Sequence, residues 1–146
     1  MPAYVLFETA SQTFALPAAD VRQVLRMAAP ERVPGAPATL RGLLNVHGSL
    51  VPVLDLRARL GLPSRPPDPD SHLLLALAGD RLVALEVDRV IEVREVAGGA
   101  VAPDVASSLG SELVAGAVTL PDGVVVVQAL ERLAAVAEPA PGTALP

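Results

Sequence analysis

Shifted against itself by 69 positions, the chain meets its own pattern. Tyr4-Val5-Leu6 falls on Leu73-Leu74-Leu75, and Ala15-Leu16 falls on Ala84-Leu85 without a gap. Val21, Gln23 and Val24 fall on Val90, Glu92 and Val93. Later, Gly42 to Leu60 parallels Gly116 to Leu133 with one residue of length difference. The order and constant spacing of these matches argue for duplication rather than chance in a Val- and Leu-rich chain. Each copy is too small for a large private core, so the two must pack together and share apolar surface. The seam between them is a natural groove for a partner.

The repeated unit is mainly β. Tyr4 to Glu8 and Thr13 to Leu16 are predicted strands around a polar turn at Ala10-Ser11-Gln12. Asp20 to Arg26 fits a short helix or an irregular strand, and residues 28 to 38 an extended Pro- and Ala-rich loop. Residues 40 to 62 are the best-punctuated stretch: strand Leu43 to Val46, turn His47-Gly48-Ser49, strand Leu50 to Leu54, helical turn Leu56 to Leu60. Asp55 is placed to cap that helix, and Gly61 to end it in a left-handed conformation. Residues 63 to 70, PSRPPDPD, admit no regular element and divide the halves, about 3–62 and 71–136, of one domain spanning 1–136. The second half is expected to carry strands Leu73 to Ala78, Arg81 to Val87 and Val90 to Val96. A loop follows from Gly98 to Ser111, with a helical turn near Val105 to Leu109. Leu113 to Leu120 and Val124 to Val127 then form a hairpin, and Leu130 to Val136 a closing helix. The tail, 137–146, is expected to be disordered.

Composition narrows the chemistry. Hydrophobic residues make up 51% of the 146, but the only aromatic residues are Tyr4, Phe7 and Phe14, so the core must be aliphatic. Cysteine is absent, which removes disulfides, thiolate nucleophiles and Cys-based metal sites. All basic residues are arginine, which removes Schiff-base chemistry and a phosphate-loop lysine. The net charge of −5, with both signs interspersed, offers no basic face for nucleic acid. No apolar run approaches the roughly 20 residues of a membrane span, and MPAYVLFE does not read as a signal peptide. The expectation is a soluble, cytoplasmic protein without direct membrane insertion.

Residues 40 to 62 also carry a specific motif. Gly42, Asn45, His47, Gly48, Pro52, Val53, Asp55, Leu56 and Arg57 stand in a frame similar to G-x-x-N-x-R-G-x-x-x-P-V-x-D-L-R. With that frame the chain resembles the coupling-protein (CheW-like) family of bacterial chemosensory systems. Three further pieces agree: Ala84 to Val90 resembles the family's strand followed by G-x-x-V-D-x-V, Val21 to Val24 its V-x-E-V, and Val124 to Leu133 its final strand and helix. The resemblance covers about residues 3 to 135. It implies two similar five-stranded SH3-like β-barrel subdomains on a shared aliphatic core, with short helices. It implies a non-enzymatic adaptor that binds the cytoplasmic hairpin tip of chemoreceptors and the regulatory domain of a histidine kinase, in association with receptor arrays. The partner-binding residues on this reading are Val21, Gln23, Val24, Gly42, Asn45, His47, Gly48, Arg57 and Val90, with no cofactor and no metal.

Two departures matter. His47 stands where the family has Arg, and Gln23 where it has Glu, so a charged pair is replaced by a Gln and a His able to hydrogen-bond. Ala84 replaces a usual Gly. The resemblance therefore implies a divergent coupler. A receptor-binding regulator that has lost the kinase, as in a gliding-motility pathway of the frizzy type, is the alternative.

Most of these residues also have a purely structural reading. Gly42 and Gly48 permit left-handed or close-packed backbone. Pro52 suggests an edge strand or a bulge. Asn45, the single asparagine, suits a buried hydrogen bond beside the turn, and Asp55 a cap. Arg57 and Arg59 suit a solvated face; Val21, Val24 and Val90 serve equally as core or as the wall of a groove for a helix. His47 at a turn tip is a partner contact or an ordinary surface histidine. A ligand-binding β-barrel would need a closed polar cavity. A hydrolase would need a pocket joining a serine or carboxylate pair to His47 or His72, and no G-x-S-x-G elbow is present.

Overall fold

The computed structural model describes residues 3–66, 68–96, 113–121 and 123–135. Ten strands run in chain order: β1 (Ala3–Thr9), β2 (Gln12–Pro17), β3 (Val21–Arg26), β4 (Leu40–Val46), β5 (Ser49–Asp55), β6 (His72–Ala78), β7 (Arg81–Val87), β8 (Arg89–Glu95), β9 (Val114–Leu120) and β10 (Gly123–Gln128). Two short helices, α1 (Leu56–Arg59) and α2 (Leu130–Ala134), follow β5 and β10. The strands form two five-stranded sheets of SH3-like barrel type. Sheet A has the order β8-β1-β2-β10-β9 and sheet B the order β3-β6-β7-β5-β4. Each sheet therefore draws strands from both sequence halves.

The registers obey the sequence offset. Val5 faces Leu16 across β1 and β2, and 69 residues on, Leu74 faces Leu85 across β6 and β7. Leu6 faces Glu92 and Leu75 faces Gln23, and in both pairs the ladder slips at the next step, leaving Ile91 and Arg22 as the extra residues. From β4 onward the offset is 74: Gly42–Val53 maps onto Gly116–Val127, and the parallel pair Val53–Ala84 corresponds to Val127–Ala15. Ala84, in the place of the family's glycine, is wholly buried there.

Alternation along the strands sorts the apolar residues into three clusters. Tyr4, Leu6, Ala15, Val96, Val118, Leu120, Val125 and Val127 fill sheet A's own interior. Val46, Val51, Val53, Leu73, Leu75 and Ala84 fill that of sheet B. Val5, Phe7, Phe14, Leu16, Leu54, Leu74, Leu85 and Val87 lie between the sheets, with Leu56 of α1 and Leu130 and Leu133 of α2. Strand β6 is apolar on both faces because Leu73 and Leu75 serve one cluster and Leu74 another, as expected of a strand buried on both sides. Aromatic packing contributes at one point, where the Phe7 and Phe14 rings lie 6.0 Å apart.

Of the two readings of Asp20 to Arg26, the irregular strand is the one formed: a single 3₁₀ turn, Ala18–Asp20, leads into β3, which is bulged at Arg22. Other local expectations are corrected. Within the loop after β3, Glu31 exchanges two backbone hydrogen bonds of 2.8 Å with Leu43, joining that segment to β4. Pro52 is neither at an edge nor at a bulge, since β5 lies between β4 and β7. Its partner Leu43 spends both backbone groups on Glu31, so Leu43–Pro52 is a pair without mutual hydrogen bonds. The Pro52 nitrogen thus faces the β7 side, where pairing starts only at Val53. The bulge falls on Arg41 instead, between Leu40 and Gly42. The loop from Gly98 to Ser111 and the tail from residue 137 lie outside the described residues.

The end of α1 matches the sequence signals. The Asp55 side chain accepts from the Ala58 amide at 3.5 Å. Gly61, at φ +76°, closes the helix, with its N–H on Ala58 O at 3.1 Å and the Leu62 N–H on Arg57 O at 2.8 Å. That pair of bonds is a Schellman motif.

Candidate functional site

The β4–β5 connection is a two-residue turn closed by the pair Val46–Ser49. His47 (φ +50°) and Gly48 (φ +87°) are both left-handed, the requirement of a type I′ hairpin, and histidine is among the few side chains enriched in that region. The Asn45 side chain accepts the Gly48 N–H at 2.9 Å. Asn45 is exposed, not buried, so its role in the turn is played at the surface. His47 sits at the tip and is exposed.

Gly42 lies below this turn and is buried. A Cβ built on it would stand 2.1 Å from the Glu31 carbonyl oxygen, so only glycine lets the Glu31 strand cross here. That crossing joins the chain leaving β3 to β4, the two outer strands of sheet B.

On β3, Arg22, Gln23 and Val24 are exposed in succession, with Val24 at 43%. Val21 is half-buried against the inter-sheet core, and so is Val90, its counterpart on β8. The three valines therefore divide: two support the core and one faces solvent. Gln23 is paired by backbone to Leu75. Among the described residues no hydrogen bond joins Gln23 to His47.

Leu50 was overlooked by the sequence reading and is 68% exposed on β5. Its signal was the alternation: Val51 and Val53 point into sheet B, so Leu50 must point out. Its counterpart Val124 is 67% exposed on sheet A. The structure thus brings Asn45, His47, Gly48 and Leu50 together at one hairpin tip and Gln23 and Val24 together on β3.

Arg57 stands apart from both groups. Its Nη2 donates to Asp88 Oδ2 at 2.7 Å and its Nε to Oδ1 at 3.3 Å. The hydrogen bond to Asp88 holds the guanidinium above its usual range, against the effect of desolvation. A bidentate, part-buried arginine of this kind is a joint in the fold, not a solvated face.

Two surface depressions among the described residues measure about 210 and 250 Å³. One lies between β8 and the β9–β10 hairpin, lined by Leu6, Ile91, Glu92 and Val124 among others; the second lies between Gly79 and Glu131. Both fall below the roughly 300–1,000 Å³ of ligand pockets. No group of three or more His, Asp or Glu side chains is placed to hold a metal among the described residues. No helix among them is long and apolar enough to cross a membrane.

A family model described as the CheW-like domain matches residues 3–138. A probable chemotaxis protein CheW of Rhizobium etli is 26% identical over 133 residues, covering 88% of this chain and 84% of that protein. The chemotaxis protein CheW of Rhizobium meliloti is 27% identical, covering 80% of this chain and 76% of that one. Among solved structures, the scaffolding protein TtCheW of Thermoanaerobacter tengcongensis superposes with a TM-score of 0.80 at 26% identity, covering 91% of this chain and 92% of its own.

Proposed function

This chain belongs to the CheW-like domain family, whose model spans residues 3–138, and from that membership we propose that it is a non-enzymatic adaptor coupling chemoreceptors to a histidine kinase. The observation that carries the reading is the surface of sheet B. Two exposed aliphatic residues stand there beside polar ones: Val24 next to Gln23 on β3, and Leu50 near Asn45 and His47 at the β4–β5 hairpin. Aliphatic anchors with a polar surround suit the side of a helical receptor hairpin. With no aromatic side chain in the group, a single contact is modest in affinity and gains from multivalent assembly.

In this reading Val21, Val90, Gly42 and Gly48 shape the surface, and Gln23, Val24, Asn45, His47 and Leu50 touch the partner. The second reading, a receptor-binding regulator without kinase affinity, is favoured by Gln23 and His47. Arginine offers a planar fork to a carboxylate, and histidine does not. Calorimetric titration against a receptor cytoplasmic fragment and, separately, a kinase regulatory domain distinguishes the two. Receptor binding alone, with kinase binding restored by Gln23→Glu and His47→Arg together, supports the second reading. Binding to both at ordinary family affinity removes it, and binding to neither overturns the adaptor reading.

A further inference from the structure

Asp88 is the single residue between β7 of sheet B and β8 of sheet A. The corresponding crossover in the first repeat, between β2 and β3, is the three-residue 3₁₀ turn Ala18–Asp20. Asp88 is fastened to three pieces of chain. Its amide donates to Glu8 O at 2.9 Å, and its Oδ2 accepts the Ala10 amide at 2.9 Å, both in the β1–β2 hairpin of sheet A. Arg57 of α1 grips both of its oxygens, and Arg65 Nη2, from the proline-rich connection, reaches its Oδ1 at 3.1 Å.

The connection is fastened a second time, to sheet B. Ser64 donates its hydroxyl to the Asp55 carboxylate. The Arg65 carbonyl accepts from Arg41 Nη2 at 2.6 Å. Arg41 is the bulged residue of β4, and the bulge aims its guanidinium inward at Glu86, where Nε lies 2.8 Å from Oε2. Asp55 and Glu86 are register neighbours on β5 and β7, both more than nine-tenths buried, and Arg41 answers the charge of both.

We propose that Asp88 is a latch that fixes the crossover between the two sheets and, with Arg57 and Arg65, straps residues 61–66 across them. Asp55 and Arg57, the ends of the D-L-R motif, then serve as joints of the fold, and this proposal stands apart from the adaptor reading.

Hydrogen exchange of the full chain tests it. In Asp88→Asn, exchange in peptides covering residues 8–12 and 61–71 rises about tenfold, while 73–77 and 83–86 in the buried strands keep their protection. Arg57→Ala raises exchange in 61–71 only, because the Ala10–Asp88 bond does not need Arg57, and Arg57→Lys restores part of the protection. A uniform rise that includes 73–77, or no change at 8–12, overturns the latch. Should Asp88→Asn not fold, Arg65→Ala alters an exposed side chain and leaves the core untouched. A rise confined to 61–71 supports the strap, and no rise there overturns it.

Discussion

The hairpin and helix of the first repeat, residues 40–62, and their counterparts in the second, residues 114–135, share a backbone register and differ in nearly every polar detail. At the offset of 74, His47 corresponds to Pro121, Leu54 to Gln128, Asp55 to Ala129, Arg57 to Glu131 and Arg59 to Leu133. One helix has a side-chain cap and the other has none. One hairpin tip presents an imidazole and the other a proline. Arg59 of the first helix even serves the second, donating to the Arg132 carbonyl at 2.9 Å and the Leu133 carbonyl at 3.3 Å. Most inward apolar positions are shared, because they fill the three cores, with Gln128 in the place of Leu54 as an exception. Polar positions were free to differ, and the first copy holds the capping Asp55, the Arg57–Asp88 ion pair and the candidate surface.

Substitutions can break or sharpen that contrast. The largest effect is expected of Gly42→Ala, which sets a methyl group 2.1 Å from a backbone oxygen; a loss above about 4 kcal/mol by urea unfolding is expected. Gly48→Ala, at φ +87° with open space around it, should cost only about 1 to 2 kcal/mol. Equal costs at the two glycines would mean that the Glu31 crossing does not constrain Gly42.

Next is the cap. Asp55→Ala removes a helix cap and leaves Arg41 short of one buried partner, so a loss of about 3 kcal/mol is expected. The mirror change, Ala129→Asp, should stabilise by about 0.5 to 1 kcal/mol if the second helix lacks nothing but the capping oxygen. Gln128→Leu gives the second copy the residue of the first. Gln128 is buried, and its Oε1 has no partner among the described residues, so thermal unfolding should show a gain of about 1 kcal/mol.

The smallest effect concerns acid. Desolvation opposes ionisation of Asp88, but the Arg57 hydrogen bond, the Ala10 amide and the charges of Arg57 and Arg65 outweigh it and hold the carboxyl below its usual range. A group with a depressed folded pKa stabilises fully above its unfolded value, near 3.9 for aspartate, and loses that contribution as pH falls through the folded value. Asp88→Asn should therefore flatten the acid limb of the stability profile below about pH 4 and lower the plateau above it. An unchanged limb would show that another carboxylate governs it.

Much of this contrast was legible in the sequence. The offset of 69, the turn at His47-Gly48, the cap at Asp55 and the left-handed Gly61 are local signals, and each has a local cause. Other features needed tertiary partners. Pro52 looked like an edge residue because a proline nitrogen cannot bond within a ladder. Only the pairing of Leu43 with Glu31 reveals that this nitrogen faces a stretch without one. Arg57 looked like a solvated face because Asp88 is 31 residues away in sequence. Asn45 was expected in the interior because rarity suggests a buried role, yet its hydrogen bond is made at the surface. Leu50 is legible by alternation alone, since Val51 and Val53 on the same strand point inward.

The claim at the centre is that this chain bridges two partners, and sedimentation of a three-part mixture tests it most directly. Vesicles carrying a chemoreceptor cytoplasmic fragment are mixed with a kinase regulatory domain, with and without this protein. The account predicts that the kinase domain pellets only when the protein is present. Kinase domain left in the supernatant at saturating protein, with or without the protein on the vesicles, would contradict it.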